Sequence, residues 1–240
     1  DVDIAKRLAE TKVKYGYPKT YRTSFAKNSN DAIWTIANIL HGAGMLKSVT
    51  LAMQSMDQGV LQNIHRKNIK FDHFGELVKK YEAAGIPTYT ELIMGLPGET
   101  LESYIAGIDA NLDAGQADGL FCYMNLCLPN TEQDKPEYVE KYGLRSVSMQ
   151  AMLTHGKPNP DAVVERQEII GETKAMPHAD WKYAWLFSKV VEIFHAQGLL
   201  QTVAIHCRQV DGVPYSTFYK SLMASLNIRP HTLSGGEYAM

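Results

Sequence analysis

The 240-residue chain has little cysteine and no familiar arrangement of it, since only Cys122, Cys127 and Cys207 occur. An odd number without regular spacing excludes a disulfide framework and predicts a reduced, cytoplasmic setting. Cys122 and Cys127 fall on one predicted strand, where alternation places their side chains on opposite faces. These two thiols therefore cannot converge on a metal, and we interpret all three cysteines as small buried hydrophobic residues.

A dominant charge and a long apolar run are also missing. The formal net charge is −2, which indicates neither a nucleic acid nor an anionic membrane as partner. The apolar stretches are far shorter than the roughly 20 residues that a membrane span needs. We expect no signal or transit segment before the first predicted helix. We therefore expect no nucleic-acid partner and no membrane partner.

Common catalytic signatures are absent as well. The chain has no Gly-x-Ser-x-Gly, Walker or Rossmann motif. His155, His178 and His206 have no metal-ligand spacing. Trp181 and Trp185, one helical turn apart, are interpreted as core. The His-Arg-Lys run at 65–67 is interpreted as a solvated helix end, with a phosphate or carboxylate contact as the alternative.

What the chain does contain is an alternation of strands and helices. Helical patterns separate four predicted strands, at 20–26, 48–53, 87–94 and 120–128. Because each strand is followed by a helix, the predicted sheet is parallel, with helices outside.

The composition changes after residue 130. Residues 134–160 are predicted to be rich in loops, and helices are predicted at 161–174, at 180–197, near 200–207 and from Pro214 onward. The predicted organisation is an α/β unit at 1–131 and a loop-rich segment with a helical extension at 132–240. The chain begins at Asp1, inside a helical pattern, which we interpret as a sign of a longer parent protein.

The most informative segment is 93–100, Ile-Met-Gly-Leu-Pro-Gly-Glu-Thr, between the third predicted strand and a helix. Gly95 and Gly98 allow positive φ or a close ligand approach, and Pro97 fixes the turn between them. Glu99 lies in the first turn of the helix, where the dipole favours a carboxylate. Such a turn builds ligand sites at the carboxyl edge of α/β sheets.

Three segments in a fixed order along the chain form a more specific pattern than any one of them alone. Met-Gln-Ser at 53–55 ends a strand and precedes a helix that runs into 60–67, Val-Leu-Gln-Asn-Ile-His-Arg-Lys. Glu-Leu at 91–92 leads into the segment at 93–100, and 121–131 reads Phe-Cys-Tyr-Met-Asn-Leu-Cys-Leu-Pro-Asn-Thr. This succession resembles the carboxyl-terminal half of the radical S-adenosylmethionine (SAM) core, as found in enzymes with a cobalamin-binding domain. The resemblance implies the third to sixth units of a partial (β/α)6 TIM-like barrel, followed by an α-helical extension.

The resemblance also implies roles for individual residues. Gln54 and Ser55 would lie beside the methionine and ribose of SAM, and Gly95 would let the backbone approach the adenine. Glu99 would support the turn. The apolar positions that correspond to adenine contacts are Ile93, Leu126 and Leu128.

Strand alternation adds further candidates. Glu91 shares a face with Ile93, so it is predicted to point into the barrel. A carboxylate there needs a ligand or an ion pair, because burial of an isolated charge is costly. Glu91 is therefore a cofactor or substrate ligand, or one half of an internal pair with Arg22. Tyr123 and Asn125 share a face and are candidates for substrate contact, together with Arg22.

One departure limits the chemistry. Radical SAM enzymes hold a [4Fe–4S] cluster through Cys-x3-Cys-x2-Cys, and this chain lacks that motif. The resemblance implies a parent protein that cleaves SAM to a 5′-deoxyadenosyl radical, abstracts hydrogen from a small molecule and, with cobalamin, methylates or rearranges it. An electron donor such as flavodoxin or ferredoxin is implied, and the chain alone is expected to be inactive.

Two alternatives remain open at this point. One is a non-catalytic βα scaffold that has lost the cluster and binds a partner or a small ligand. The other is an unrelated barrel enzyme of the aldolase type, which would need an inward lysine or a metal cluster at a strand end.

Overall fold

The structure is a computed structural model that describes residues 1–23, 31–67, 71–116, 119–151 and 163–229. The helices are α1 (Val2–Tyr15), α2 (Asp31–Gly42), α3 (Gln58–Asn63), α4 (Phe71–Ala83), α5 (Leu101–Asp113), α6 (Pro136–Tyr142), α7 (His178–Val191), α8 (Gln201–Val210) and α9 (Tyr215–Ser225). The strands are β1 (Val49–Thr50), β2 (Thr88–Met94), β3 (Leu120–Met124), β4 (Leu126–Cys127), β5 (Arg145–Gln150) and β6 (Arg166–Glu172). A 3-10 turn (Glu132–Asp134) precedes α6, and a π-helical turn (Glu192–Ala196) follows α7.

The first sheet is parallel, with the order β1-β2-β3. One face is apolar and buried, and it includes Leu92 of β2 and its register partner Cys122 of β3. On the opposite face Glu91 and Ile93 are half-buried, while Tyr123 is exposed. The alternation predicted for Glu91 and Ile93 is therefore observed, and one face of the sheet is open.

The predicted strands at 20–26 and 48–53 are shorter or absent. Residues 20–23 form no strand, although the Tyr21 N–H donates to the Met45 carbonyl at 2.9 Å, and 24–26 lie outside the described residues. The pairing of β1 with β2 continues irregularly beyond Thr50, since the Leu51 N–H donates to the Tyr89 carbonyl and a bridge joins Gln54 to Leu92. The described part of the sheet thus contains three parallel strands instead of four.

The predicted strand at 120–128 divides at Asn125. β3 stays in the parallel sheet, whereas β4 pairs antiparallel with β6 in a second sheet of order β4-β6-β5. The helix predicted at 161–174 is wrong, because 166–172 forms β6, in which Ile169 and Ile170 are buried. Two adjacent β-branched residues suit a strand once partners exist, and packing overrides the helical spacing. The segment predicted to be loop-rich also contains α6 and β5.

The carboxyl-terminal helices pack against the parallel sheet through one hydrophobic core. Leu92, Trp181, Phe187 and Tyr219 belong to a single buried cluster. Polar contacts with α5 add to it: Asp109 accepts hydrogen bonds from the backbone N–H and hydroxyl of Ser216, and Asp113 pairs with Arg208 at 2.7 and 2.9 Å. The predicted division at residue 131 therefore separates elements that share a core, and it stays a prediction. None of the described helices is long and apolar enough to cross a membrane.

Candidate functional site

The carboxyl edge of the parallel sheet carries the loop predicted to be functional. β2 ends at Met94, and both Gly95 (φ +81°) and Gly98 (φ +89°) take the left-handed conformation that glycine adopts without strain. α5 then begins at a capping box, in which the Thr100 hydroxyl accepts from the Ser103 N–H and the Ser103 hydroxyl accepts from the Thr100 N–H. The capping box therefore fixes the end of the loop at which α5 begins.

Gly95 is required by packing within the chain. A Cβ at this position would lie 3.2 Å from Trp181 Nε1 and 3.3 Å from the Ile170 carbonyl. The glycine thus lets α7 and β6 pack against the loop. The predicted close approach of a ligand to Gly95 stays a prediction.

Asn63 binds the loop between β2 and α5 through its side chain. Its Nδ2 donates to the Pro97 carbonyl at 2.9 Å, and its Oδ1 accepts from the Tyr142 hydroxyl at 3.0 Å. The Tyr138 hydroxyl donates to the Asn63 carbonyl at 2.7 Å. This residue at the end of α3 therefore joins the loop to α6, a connection that no local sequence pattern indicates.

Glu99 and Ser55 form a buried pair behind the edge. The Ser55 hydroxyl donates to Glu99 Oε1 at 2.7 Å, and both residues are 1% exposed. Burial raises the pKa of Glu99 to about 8; the Ser55 hydrogen bond opposes this shift, and the charge of Asp57 adds to it. Within the described residues, Oε2 of Glu99 has no hydrogen-bond partner. The pair ties the segment after β1 to the loop after β2, and Glu99 is mainly a neutral acid near pH 7.

Gln54 stands at the same edge in a strained conformation. It has φ +61°, is half-buried and makes the isolated bridge to Leu92. A left-handed backbone costs a residue other than glycine roughly 1–2 kcal/mol, and such strain clusters at functional sites. The strain is thus located at a residue predicted to contact the cofactor.

Replacing Gln54 with glycine tests whether its positive φ lowers the stability of the fold. We expect Gln54→Gly to raise the free energy of unfolding by about 0.5–1 kcal/mol, because glycine relieves the positive φ but gains freedom in the unfolded chain. Asn130→Gly is the matched control, since Asn130 has φ +64° and is exposed. Urea denaturation measures both variants. A loss of stability in Gln54→Gly alone would show that the Gln54 side chain stabilises the fold.

Glu91 interacts electrostatically with Arg66. The predicted ion pair between Glu91 and Arg22 stays a prediction. Arg22 is exposed and lines a cavity of 590 Å³ with Thr50 and Tyr89. Burial lowers the pKa of Arg66, and the negative charge of Glu91 opposes this shift. Arg66 also donates from Nη2 to the Ala52 carbonyl at 2.9 Å. Arg66 is therefore a site candidate rather than part of a fully solvated helix end.

The prediction that Tyr123 and Asn125 share a face is wrong, because β3 ends at Met124 and the alternation of side chains stops there. Tyr123 is 49% exposed on the open face, whereas Asn125 is 4% exposed. The Asn125 Nδ2 donates to the Gly95 carbonyl at 3.2 Å and to Gln133 Oε1 at 2.8 Å. Asn125 thus holds the loop in place, and its side chain does not share the open face with Tyr123.

Apolar side chains are exposed beside the loop. Leu126 and Leu128 are 38% and 54% exposed, and Ile93 is half-buried on the open face. Tyr89 meets Phe121 edge-on at 5.6 Å between ring centroids, and Phe121 stacks with Tyr123 at 6.4 Å. The edge and the open face therefore offer apolar and aromatic surface to a ligand.

The cysteines do not form a ligand set. Cys122 is buried, and burial raises the pKa of its thiol to about 12, whereas Cys127 and Cys207 are only half-buried. The interpretation of all three as buried is therefore right for Cys122 alone. Among the described residues, no group of three or more His, Cys, Asp or Glu side chains is placed to hold a metal ion.

The comparisons identify the class of protein to which the chain is similar. Two methyltransferases are similar to it, one of them a cobalamin-dependent radical SAM enzyme, which confirms the resemblance predicted from the motifs. The chain is 40% identical over 238 residues to the cobalamin-dependent radical SAM methyltransferase TokK of Streptomyces tokunonensis. It is 36% identical over 238 residues to the 2-(S-pantetheinyl)-carbapenam-3-carboxylate methyltransferase of Streptantibioticus cattleyicolor. Each alignment covers 99% of this chain and 35% of the relative, so the chain spans about a third of the relatives' length.

The similarity extends to a solved structure. TsrM of Kitasatospora setae, a radical SAM methyltransferase with tryptophan substrate and the SAM analog aza-SAM bound, aligns with 76% of this chain and 39% of its own. The TM-score is 0.51 at 17% identity, which shows a shared mixed α/β fold. No protein-family model matches the chain. The finer partial (β/α)6 arrangement stays a prediction.

Proposed function

We propose that this chain is part of a longer cobalamin-dependent radical SAM methyltransferase and supplies one side of its SAM site. The observation that supports the proposal is that the Ile93 N–H donates to the Gln54 carbonyl at 2.8 Å near the carboxyl end of β2, while the chain after the neighbouring strand β3 continues into Leu126 and Leu128, in the order of the family motifs. The two relatives, matched over 99% of this chain, support the assignment, and each is about three times as long.

The edge fits an adenine nucleoside with an amino-acid group. Leu126 and Leu128 expose aliphatic side chains after β3, and Gln54 and the Glu91–Arg66 charges supply polar groups. Apolar walls with a few placed polar groups are typical of small-molecule sites. In this proposal the aliphatic residues pack on the adenine, and Gln54 binds the ribose or methionine part. Ser55 and Glu99, being buried, fix the loop from behind.

The described residues do not fit a [4Fe–4S] cluster, because such a cluster needs converging thiolates. Cys122 is a buried thiol on β3, Cys127 lies on β4 and Cys207 on α8, and no group of three His, Cys, Asp or Glu side chains is placed to hold a metal within the described residues. We propose that cluster ligands and the cobalamin domain are supplied by other parts of the longer polypeptide. When bound, SAM and cobalamin supply hydrogen abstraction by the 5′-deoxyadenosyl group and a transferable methyl group.

The chain's own residues bind and orient the reactants. Desolvation raises the pKa of Tyr123, with Glu91 and Tyr89 adding to it, so its phenol stays neutral and able to donate a hydrogen bond. The aromatic rings on the open face exclude water from a bound substrate. The substrate class that we propose is a small cyclic carboxylate, as named for the relative from S. cattleyicolor. We further propose a cytoplasmic enzyme with an electron donor such as flavodoxin or ferredoxin.

Anaerobic reconstitution of the full-length polypeptide with iron and sulfide tests this function. We expect a [4Fe–4S] electron paramagnetic resonance signal that SAM perturbs, formation of 5′-deoxyadenosine, and methylation of the probe 2-(S-pantetheinyl)-carbapenam-3-carboxylate. A folded protein without a cluster would overturn the proposal and favour a non-catalytic scaffold. Deoxyadenosine without methylated probe would retain the radical enzyme and overturn the proposed substrate class.

A further inference from the structure

At the outer edge of β3, two side chains from the carboxyl-terminal region bind the backbone of Cys122. β3 pairs with β2 through alternate residues, since the Thr90 N–H donates to the Gly119 carbonyl and the Asn125 N–H donates to the Met94 carbonyl. The alternation turns the backbone groups of Cys122 to the outer edge. Such unpaired groups are usually satisfied by another strand.

Here Glu192 and Lys189 take the place of that strand. The Cys122 N–H donates to Glu192 Oε1 at 2.6 Å, and Lys189 Nζ donates to the Cys122 carbonyl at 3.3 Å. Lys189 Nζ also donates to Glu192 Oε2 at 2.6 Å and lies 4.2 Å from the ring centroid of Trp185. We call Lys189 and Glu192 the edge clamp.

The position of the clamp connects it to the open face. Cys122 lies between Phe121 and Tyr123, whose side chains are 45% and 49% exposed. Glu192 begins the π-helical turn after α7, a feature frequent at functional sites. The Glu192 side chain is 16% exposed, so the charged bond to Cys122 is shielded from water.

We infer that the edge clamp is a positioning device for the substrate, which holds Phe121 and Tyr123 in register from the carboxyl-terminal helices. This inference rests on the proposed function, in which these aromatic rings contact the substrate. The Glu192 carboxylate fixes the N–H of the residue before Tyr123, and the Lys189 ammonium fixes the carbonyl. Neither side chain needs to touch the substrate to orient the ring.

The test compares clamp variants in the reconstituted full-length protein. Glu192→Ala removes the acceptor for the Cys122 N–H, whereas Glu192→Gln keeps an oxygen acceptor and loses the charge. We expect Glu192→Ala to lower the ratio of methylated probe to 5′-deoxyadenosine about tenfold and to weaken probe binding by a similar factor. Glu192→Gln should stay within about twofold of the parent for both quantities. Exposed Glu137→Gln and Lys79→Met are the matched charge controls.

The readouts separate the clamp from the proposed function. If the parent protein forms no deoxyadenosine, the proposed function fails. The edge clamp is then tested by whether Glu192→Ala raises the dissociation constant for the probe. If Glu192→Ala fails to fold, Lys189→Met replaces it, with Lys189→Arg as the rescue that retains a donor. The inference would be overturned if the folded variant, Glu192→Ala or Lys189→Met, kept both the parent's ratio of methylated probe to 5′-deoxyadenosine and its affinity for the probe. An equal loss in Glu137→Gln or Lys79→Met would overturn it as well.

Discussion

Glu99→Gln should make the protein more stable in alkaline solution and leave its stability in acid nearly unchanged. The pKa of Glu99 is raised from 4.5 to about 8, because the folded chain buries the carboxyl group. Below pH 4.5 the group is protonated in both states. Between the two values the unfolded chain releases this proton and the folded chain retains it, so each pH unit favours unfolding by about 1.4 kcal/mol. The contribution of Glu99 to stability is fully present below its pKa in the unfolded chain. It is lost as the pH rises through its pKa in the folded chain.

Glutamine imitates the protonated acid and cannot ionise. Its oxygen still accepts from the Ser55 hydroxyl, so the variant retains the buried contact. Urea denaturation gives the free energy of unfolding of both proteins from pH 4 to 9. The two free energies should differ by about a few kcal/mol at alkaline pH, because the parent loses about 1.4 kcal/mol for each pH unit between the two pKa values. Glu99 lies just before α5, and the control Glu102→Gln, at an exposed position in the first turn of that helix, should follow the parent at every pH. A constant difference between parent and Glu99→Gln would show that Glu99 is ionised in the folded state.

Gly119→Ala should cause the largest loss of stability among simple glycine substitutions. A Cβ at Gly119 would lie 2.5 Å from Tyr89 Cβ, 2.7 Å from the Thr88 carbonyl oxygen and 2.8 Å from Tyr89 Cα. Two of these three atoms are backbone, so β2 must move away from β3. We expect a loss of about 3 kcal/mol or more in the free energy of unfolding.

The control is Gly42→Ala. A Cβ there meets nothing within 4 Å, and Gly42 has no positive φ, so the change should stay within about 0.5 kcal/mol of the parent. Because β2 carries Glu91 and Ile93, Gly119→Ala should also weaken SAM binding, measured by equilibrium dialysis on any fraction that remains folded. Parent-like stability of Gly119→Ala would contradict the close packing of β2 and β3.

The sequence predicted β2 and the loop after it because their signals are local. An apolar run at 87–94 ends in a Gly-Leu-Pro-Gly turn, and the structure has β2 at Thr88–Met94 followed by that turn. The helices α1, α5, α7, α8 and α9 were also predicted, because their apolar residues repeat at helical spacing. Local chemistry is sufficient wherever an element needs no distant partner to be recognised.

The remaining features depend on partners far away in the sequence. β4 leaves the parallel sheet because Leu126 pairs with Ile169, and nothing near either residue indicates this. The Asn125 side chain likewise does not lie on the open face, because it donates hydrogen bonds to Gly95 and Gln133. The sequence alone predicts a solvated helix end at Arg66, because only the fold brings Glu91 near this residue.

The most direct test of the SAM site is hydrogen exchange on the reconstituted full-length protein, with and without SAM. The account predicts slower amide exchange at 54–55, 93–96 and 126–128 when SAM is bound, and no change in α8 and α9. Gln54→Gly should reduce the protection, whereas Asn130→Gly should not. Binding of SAM with unchanged exchange at all three segments, or with protection confined to the carboxyl-terminal helices, would contradict the proposed site.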